Sequence, residues 1–319
     1  MGKLKVGVVA ENSDRILTEL GTAIVGKESA LRKILVAVLA NSHILIEDYP
    51  GLAKTVIAKS LAVTLGCKFA RVQFTPDLLP ADITGTYIYN QKTGDFELRK
   101  GPIFTNFLLA DEINRSPPKT QSALLEAMQE RQTTLDGKTH PLENPFIVIA
   151  TQNPIEFEGV YLLPEAQLDR FIIRLRIGYP DKNSEAEILR RRIIRQRDDF
   201  TIRKIIDPHV LIEMQQSVEQ VHVDDCVLSY ATDIVRETRT HTQVEVGASP
   251  RGSLALLKLA RAYAALSGRD YVLPDDVKAI CSEALAHRII PKVASWVRGF
   301  DPVSIIEEIV RRVPVPRVD

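Results

Sequence analysis

Three strand-like segments of this sequence end in residues able to bind a phosphate, hold a divalent cation or move a proton. The first, "ILIE" at 44–47, runs into "DYPGLAKT" (Asp48 to Thr55) and then into the helical "VIAKSLA". A phosphate-cradling loop follows G-x-x-x-x-G-K-[ST]: backbone N–H groups and a helix N-terminus face the anion, the lysine reaches the phosphates and the hydroxyl meets magnesium. Lys54 and Thr55 fill the last two positions, but Asp48 and Ala53 stand where the two glycines belong. Taken alone, the loop reads equally as a nucleotide site and as a lookalike. To work, it needs Pro50 and Gly51 to supply the turn, a negative φ at Ala53, and an Asp48 carboxylate directed away from the phosphates, because like charges at close range repel strongly.

The second segment, "FLLADEINRSPP", ends a buried strand on two consecutive carboxylates, Asp111 and Glu112. Such a pair suits nucleotide hydrolysis, Asp111 holding magnesium and Glu112 polarising the attacking water as general base. The plainer alternative is a pair of solvated strand-end acids or helix caps. It is weakened by Ser116-Pro117, which already offers a cap and first turn for the next helix. The third, "IVIATQNP", places Thr151, Gln152 and Asn153 before Pro154. Asn153 is either a γ-phosphate or water ligand or an ordinary turn former. Arg170 in "QLDRF" and Arg251 in "GASPRG" are further phosphate-binding candidates, and each also reads as a surface ion-pair residue.

These residues need a scaffold, and the sequence outlines one. Five apolar runs, "HILIE" (43–47), "FARVQF" (69–74), "FLLAD" (107–111), "FIVIAT" (146–151) and "FIIRLRI" (171–177), alternate with helical patterns, which predicts a parallel sheet covered by helices. The third and fourth are almost wholly apolar and so central; Arg174 and Arg176 alternate with apolar neighbours in the fifth, as on an edge. Two hairpins interrupt the alternation, "TYIYNQKTGDFELRKGP" and "RQTTLDGKTHPL", the latter with an Asp136-Gly137 turn. After Pro180 the pattern becomes amphipathic helix, in "SEAEILRRRIIRQR", "LSYATDIVRETRTH", "SLALLKLARAYAALSG" and "PDDVKAICSEALAHRI", with Pro250 and Pro274 at helix starts and Gly268 at a stop. The expected division is an α/β unit at 1–180 and an α-helical unit at 181–319. The basic "RRRIIRQR" run reads as one solvated helix face.

The chain's 319 residues suffice for two units of roughly 150 residues. With 41 Lys+Arg against 41 Asp+Glu, the net charge offers no footprint for nucleic acid or an anionic membrane. Three scattered cysteines, Cys67, Cys226 and Cys281, argue against a disulfide framework or zinc site and for a reducing, cytoplasmic setting, as small core residues. No export signal is legible, and the apolar stretch at 34–46 falls short of the ~20 residues a bilayer span needs.

In order, "IVGKESALRKIL", "EDYPGLAKT", "LLADEINRSPPKTQSALLEAMQER", "ATQNP", "EAQLDRF" and "GASPRG" resemble the AAA+ ATPases of the MoxR family, over about Leu17 to Pro316. The resemblance implies a P-loop core with a five-stranded parallel sheet of the helix-2 insert clade, followed by an α-helical lid. Val25 and Gly26 then match the adenine-pocket segment. Pro50, Gly51, Leu52, Ala53, Lys54, Thr55 and Val56 match the Walker A stretch, with Asp111 and Glu112 as Walker B. Thr55 and Asp111 would hold Mg²⁺. Asn153 resembles sensor 1, Arg170 the arginine finger that reaches a neighbouring subunit, and Arg251 sensor 2, carried by a lid that holds ATP against the core and turning the presence of the γ-phosphate into lid rotation. The hairpins resemble the helix-2 insert and the pre-sensor-1 hairpin, which face a central pore or partner; Glu97, Arg99 and Lys100 give the first an unusually charged strand.

The resulting expectation is a Mg²⁺-dependent ATPase that forms a ring, typically a hexamer, without membrane insertion. It would act as a chaperone on a protein client or on a partner carrying a von Willebrand factor A domain. Two alternatives stand beside it: a nucleotide-gated assembly module with negligible turnover, disfavoured by the Asp111-Glu112 pair, and a nucleic-acid motor, disfavoured by the neutral charge.

Overall fold

The computed structural model describes residues 4–154, 160–293 and 301–317. Helices α1 (Val6–Ala23) and α2 (Glu28–Leu39) precede β1 (Ile44–Glu47), α3 (Lys54–Thr64), β2 (Phe69–Gln73) and a short α4 (Pro80–Thr84). There follow a hairpin of β3 (Gly85–Asn90) and β4 (Asp95–Lys100), β5 (Phe107–Asp111), α5 (Pro118–Glu130), a second hairpin of β6 (Gln132–Leu135) and β7 (Lys138–Pro141), β8 (Ile147–Gln152), α6 (Glu165–Leu168) and β9 (Ile173–Leu175). The remainder is mainly helical: α7 (Lys182–Arg195), α8 (Pro208–Val218), α9 (Asp225–Thr240), β10 (Val244–Val246), α10 (Pro250–Leu266), α11 (Pro274–Leu285), β11 (Ile290–Pro291) and α12 (Pro302–Arg312).

The five expected strands form one parallel sheet in the order β2-β5-β8-β1-β9. Their apolar content follows from burial on both faces. Phe107, Leu109, Ile147 and Ile149 point into one core, whereas Leu108, Ala110, Val148 and Ala150 point into a second core that includes Leu124 and Leu125 of α5. β9 is an edge strand as expected, and Arg174 and Arg176 both approach Glu47 Oε2, at 3.7 and 3.5 Å. The second hairpin closes on Asp136 and Gly137 with φ of 47° and 78°, the two positive values that a tight two-residue turn requires.

The first core continues into the helical region, joining Leu35 and Ile57 to Leu256 and Ile280. Polar links reinforce this junction: Gln215 Nε2 donates to the Val38 carbonyl at 2.8 Å, and the Lys33 ammonium meets Glu283 at 2.5 Å. Helices α8 and α12 were not foreseen in the sequence, and Pro208 and Pro302 start them in the same manner as Pro250 and Pro274. Helix α7 has no buried residue, in keeping with a solvated face. Two local expectations change. Ser116 does not cap α5, because its hydroxyl turns back to the Ile113 carbonyl and Pro117 takes the cap position. Cys226 is half-buried at the start of α9, while Cys67 and Cys281 are buried. Among the described residues, no helix is long and apolar enough to cross a membrane.

Candidate nucleotide-binding site

Strand register gathers the candidate residues. Ile46 pairs with Thr151, Ala110 with Ala150, and Gln73 with Asp111, so the C-terminal ends of β1, β8, β5 and β2 stand side by side at about 5 Å per strand. From this edge leave the Asp48–Thr55 loop, Glu112 and Asn153.

The loop meets its conditions in an unexpected way. Asp48 is buried and its carboxylate is committed: Oδ2 accepts the Ile177 and Gly178 amides at 2.6 Å each, and Oδ1 accepts the Tyr49 amide at 2.9 Å. The carboxylate is thereby held by backbone donors rather than aimed at a phosphate. The expectation of a negative φ at Ala53 is overturned: Ala53 lies in the left-handed region at φ 56°, ψ 19°, immediately before α3. The chain must turn sharply there to start the helix at Lys54, and the backbone accepts the strain that a glycine would avoid. Gly51 has φ 81°, as a turn residue should. Lys54 Nζ donates to the Asp48 carbonyl at 2.5 Å, spanning the loop, and Thr55 lies in the first turn of α3.

Val25 and Gly26 lie between α1 and α2, and Gly26 packs beside the start of α7. A Cβ at Gly26, where φ is 69°, would fall 2.2 Å from Ser184 Oγ, so only glycine permits this approach. Lys27 Nζ donates to the Tyr179 carbonyl at 2.8 Å, and Tyr179 stacks with Tyr49 of the loop at 6.0 Å between ring centroids. The segment therefore borders both the loop and the first helix after β9.

Asp111 and Glu112 belong to a closed hydrogen-bond circuit. Arg71 donates to Asp111 Oδ2 from Nε (3.1 Å) and Nη2 (2.7 Å), and Nη2 also donates to Gln73 Oε1 (2.8 Å). Gln73 Nε2 donates to Glu112 Oε2 (2.5 Å), to which Arg115 Nη1 also donates (3.0 Å). The buried Thr151 hydroxyl closes the ring, donating to Asp111 Oδ1 (2.6 Å) and accepting the Glu112 amide (2.8 Å). Glu112 is itself left-handed, at φ 56°, which takes its side chain out of the strand alternation. Arg71, Gln73 and the bridging role of Thr151 were not identified from sequence; their positions on β2 and β8 carry meaning only once the strand order is known. Asn153 is buried just beyond β8.

The two arginines lie elsewhere. Ile172 N donates to the His43 carbonyl, so Arg170 stands at the N-terminal edge of the sheet, opposite the loop. There a cavity of ≈ 420 Å³ is lined by both Arg170 and Arg251, with Arg131, Arg288 and Lys258 contributing further positive charge. Arg170 Nε is buried with no hydrogen-bond partner among the described residues, and Arg251 Nη1 lies 3.7 Å from Asp169 Oδ2.

Comparison with known proteins identifies the family. Residues 43–173 match the family described as "ATPase family associated with various cellular activities (AAA)", and residues 236–309 match the AAA lid domain. The first match takes in the loop, both acids, Asn153 and Arg170; the second takes in Arg251. Protein YeaC of Bacillus subtilis is 47% identical over 98% of this chain and 95% of its own length. Chaperone MoxR1 of Mycobacterium tuberculosis is 40% identical over 98% of this chain and 85% of its own. A crystal structure of a protein from Cytophaga hutchinsonii superposes with a TM-score of 0.90 at 41% identity, covering 97% of this chain and 96% of that one. With a chaperone MoxR1 aligned nearly end to end, an AAA core and an AAA lid each matched in its own segment, and the parallel sheet in place, the chain belongs to the MoxR family of AAA+ ATPases.

Proposed function

We propose that this chain is a ring-forming ATPase that hydrolyses ATP·Mg²⁺ between subunits and uses the cycle to remodel or mature protein partners. The observation that carries this reading is the separation of Arg170 and Arg251 from the loop. Lys54, Asp111, Glu112 and Asn153 lie at or just beyond the C-terminal ends of parallel strands, whereas the arginines share a cavity at the N-terminal edge. The four residues of β1 alone put about 10 Å between these edges. Both arginines therefore suit a phosphate held by a neighbouring copy, which for Arg251 replaces the expected role of a lid residue sensing ATP held between core and lid, and a hexameric ring gives every copy such a neighbour.

The residues fit the nucleotide and the metal. Thr55 and Asp111 offer the hard oxygen ligands that magnesium takes in small number, and the Asp111 carboxylate already attracts a cation in Arg71. Bound magnesium neutralises phosphate charge and orients the phosphates for in-line attack. Lys54 and the backbone N–H groups of Gly51–Val56 cradle the phosphates, with Pro50 setting the turn, while Val25 and Gly26 border the base. Glu112 takes a proton from the attacking water, and Asn153 orients that water or the γ-phosphate. Arg170 and Arg251 of the next copy offset the charge that develops on the transferred group. A supplied arginine can be worth about 10³ to 10⁵ in rate, roughly 4 to 7 kcal/mol of barrier, so an isolated copy should bind ATP yet turn over slowly. The first hairpin exposes Tyr89 and Phe96, whose rings lie 5.4 Å apart, and we assign it to contact with the client or a von Willebrand factor A partner.

The test is steady-state ATP hydrolysis against protein concentration, for the parent, Glu112→Gln and Arg170→Ala. Specific activity that rises with concentration, and is lost in both variants while nucleotide still binds, is the expected result. Flat, negligible turnover in all three despite confirmed assembly would replace this reading with the nucleotide-gated module.

A further inference from the structure

Asp169 immediately precedes Arg170, and among the described residues it is the one acid that lines the arginine cavity. Its Oδ1 accepts Arg288 Nε at 2.6 Å; its Oδ2 accepts the Ser249 hydroxyl at 3.4 Å and faces Arg251 Nη1 at 3.7 Å. The pair is enclosed, the side chains of Arg288 and Asp169 being 4% and 16% exposed. Arg288 also donates to the carbonyls of Asp169 (3.1 Å), Phe171 (2.8 Å) and Ile172 (3.1 Å), and His287 Nε2 to that of Phe171 (3.0 Å). The loop that carries Arg170 is thus clamped by the turn that ends α11, while the same carboxylate reaches the N-terminus of α10, where Arg251 sits.

Arg288 and Arg251 both face the Asp169 carboxylate, and an acid shared by two guanidinium groups offsets their mutual repulsion and fixes their separation. We propose that Asp169 is a positioning residue: anchored with its loop by the buried Arg288, it fixes the place of the adjoining Arg170 in the chain and holds Arg251 by charge, so that the two arginines form one preorganised pair. That pair is then presented as a unit to the phosphate of the neighbouring copy. The proposal rests on the reading that both arginines serve a neighbour.

The test uses full-length Asp169→Asn and Asp169→Glu, each alone and mixed with Glu112→Gln. Asp169→Glu keeps a negative charge against Arg288 but displaces the carboxylate, separating aim from folding. Expected are a kcat lowered roughly 10- to 100-fold, as for other ångström-scale misplacements, and nucleotide affinity within about twofold of the parent, as the Asp169 variants keep their loop and acids unaltered. Mixing should restore turnover, because the Glu112→Gln copy brings an intact arginine pair to the intact loop and acids of the Asp169 variant. Arg170→Ala mixed with Glu112→Gln is the control: no recovery there defeats the neighbour reading itself. Recovery there, combined with parental kcat in Asp169→Glu or with no recovery in the Asp169 mixtures, overturns the positioning role alone. Loss of the fold in both Asp169 variants overturns it too, since the acid would then serve stability rather than aim.

Discussion

Arg71 on β2 and Asp111 on β5 are joined by two hydrogen bonds to the same carboxylate oxygen, 3.1 Å from Nε and 2.7 Å from Nη2. The guanidinium thus occupies an oxygen of the residue proposed to hold magnesium, and the two cations compete for it. The arginine side chain is 47% exposed, so solvent screening limits the ion pair to about 0.5–1 kcal/mol. Arg71→Ala should tighten Mg²⁺ binding roughly two- to fivefold, on the conversion of 1.4 kcal/mol per factor of ten. Titrating Mg²⁺ into the complex with a fluorescent ADP reads this directly. A weaker affinity in the variant would show that Arg71 assists the metal rather than competing with it.

Restoring glycine at the sixth loop position should help. Ala53 pays for its left-handed conformation with about 1–2 kcal/mol, part of which glycine returns through its greater freedom in the unfolded chain. Ala53→Gly is expected to raise stability by about 0.5–1 kcal/mol net, measured as a higher urea midpoint without nucleotide. A lowered midpoint would mean that the methyl group contributes contacts outweighing the backbone strain.

Restoring glycine at the first position should do the opposite. Asp48 accepts three backbone amides, of Tyr49, Ile177 and Gly178, and no other side chain accepts from them among the bonds described. Asp48→Gly leaves donors at the loop and at the end of β9 without their acceptor, and hydrogen bonds to a charged group are worth about 1.5–3 kcal/mol. A loss of about 2–4 kcal/mol is expected, with weaker nucleotide binding as Tyr49 and Tyr179 lose their common anchor. Equal stability of Asp48→Gly and parent in urea unfolding would refute the anchoring role.

The opposite outcomes at these two positions show where sequence reading stops. The five strands were legible because each is a short apolar run bounded by turns, and burial on both faces leaves little choice of residue. Asp111, Glu112 and Asn153 were legible because they end such runs. The Asp48 carboxylate was not, since its partners Ile177 and Gly178 lie about 130 positions away and become neighbours only when β9 pairs with β1. The same holds for Arg71 and Gln73, which meet the acids because β2 pairs with β5 and not with the strand before it. Arg288 reads as an ordinary residue at a helix end, and its grip on Asp169 comes from a contact 119 positions distant.

His43 gives the fold a pH dependence. The ring is buried between β8 and α5: Nδ1 accepts the Val148 amide at 3.0 Å, and Nε2 donates to the Met128 carbonyl at 2.9 Å. Burial, helped by the charge of Arg131 and opposed by the Met128 carbonyl, holds its pKa down at about 3. The unfolded chain, with an ordinary histidine near 6.5, then binds a proton that the folded chain refuses between pH 6.5 and 3, and stability falls as the pH falls through that window. Between pH 7 and 5 the loss from this one residue is about 2 kcal/mol, and His287, also pushed well below its usual value by burial, acts in the same direction. Glu19, whose carboxyl is lowered by hydrogen bonds from Arg203, adds its own loss only below the usual carboxylate range. Urea midpoints of the nucleotide-free protein at pH 7, 6 and 5 should therefore decline, and His43→Gln should decline less steeply from a lower starting value. An unchanged slope in that variant would mean that His43 becomes protonated in the folded chain, and that the Val148 amide has another acceptor.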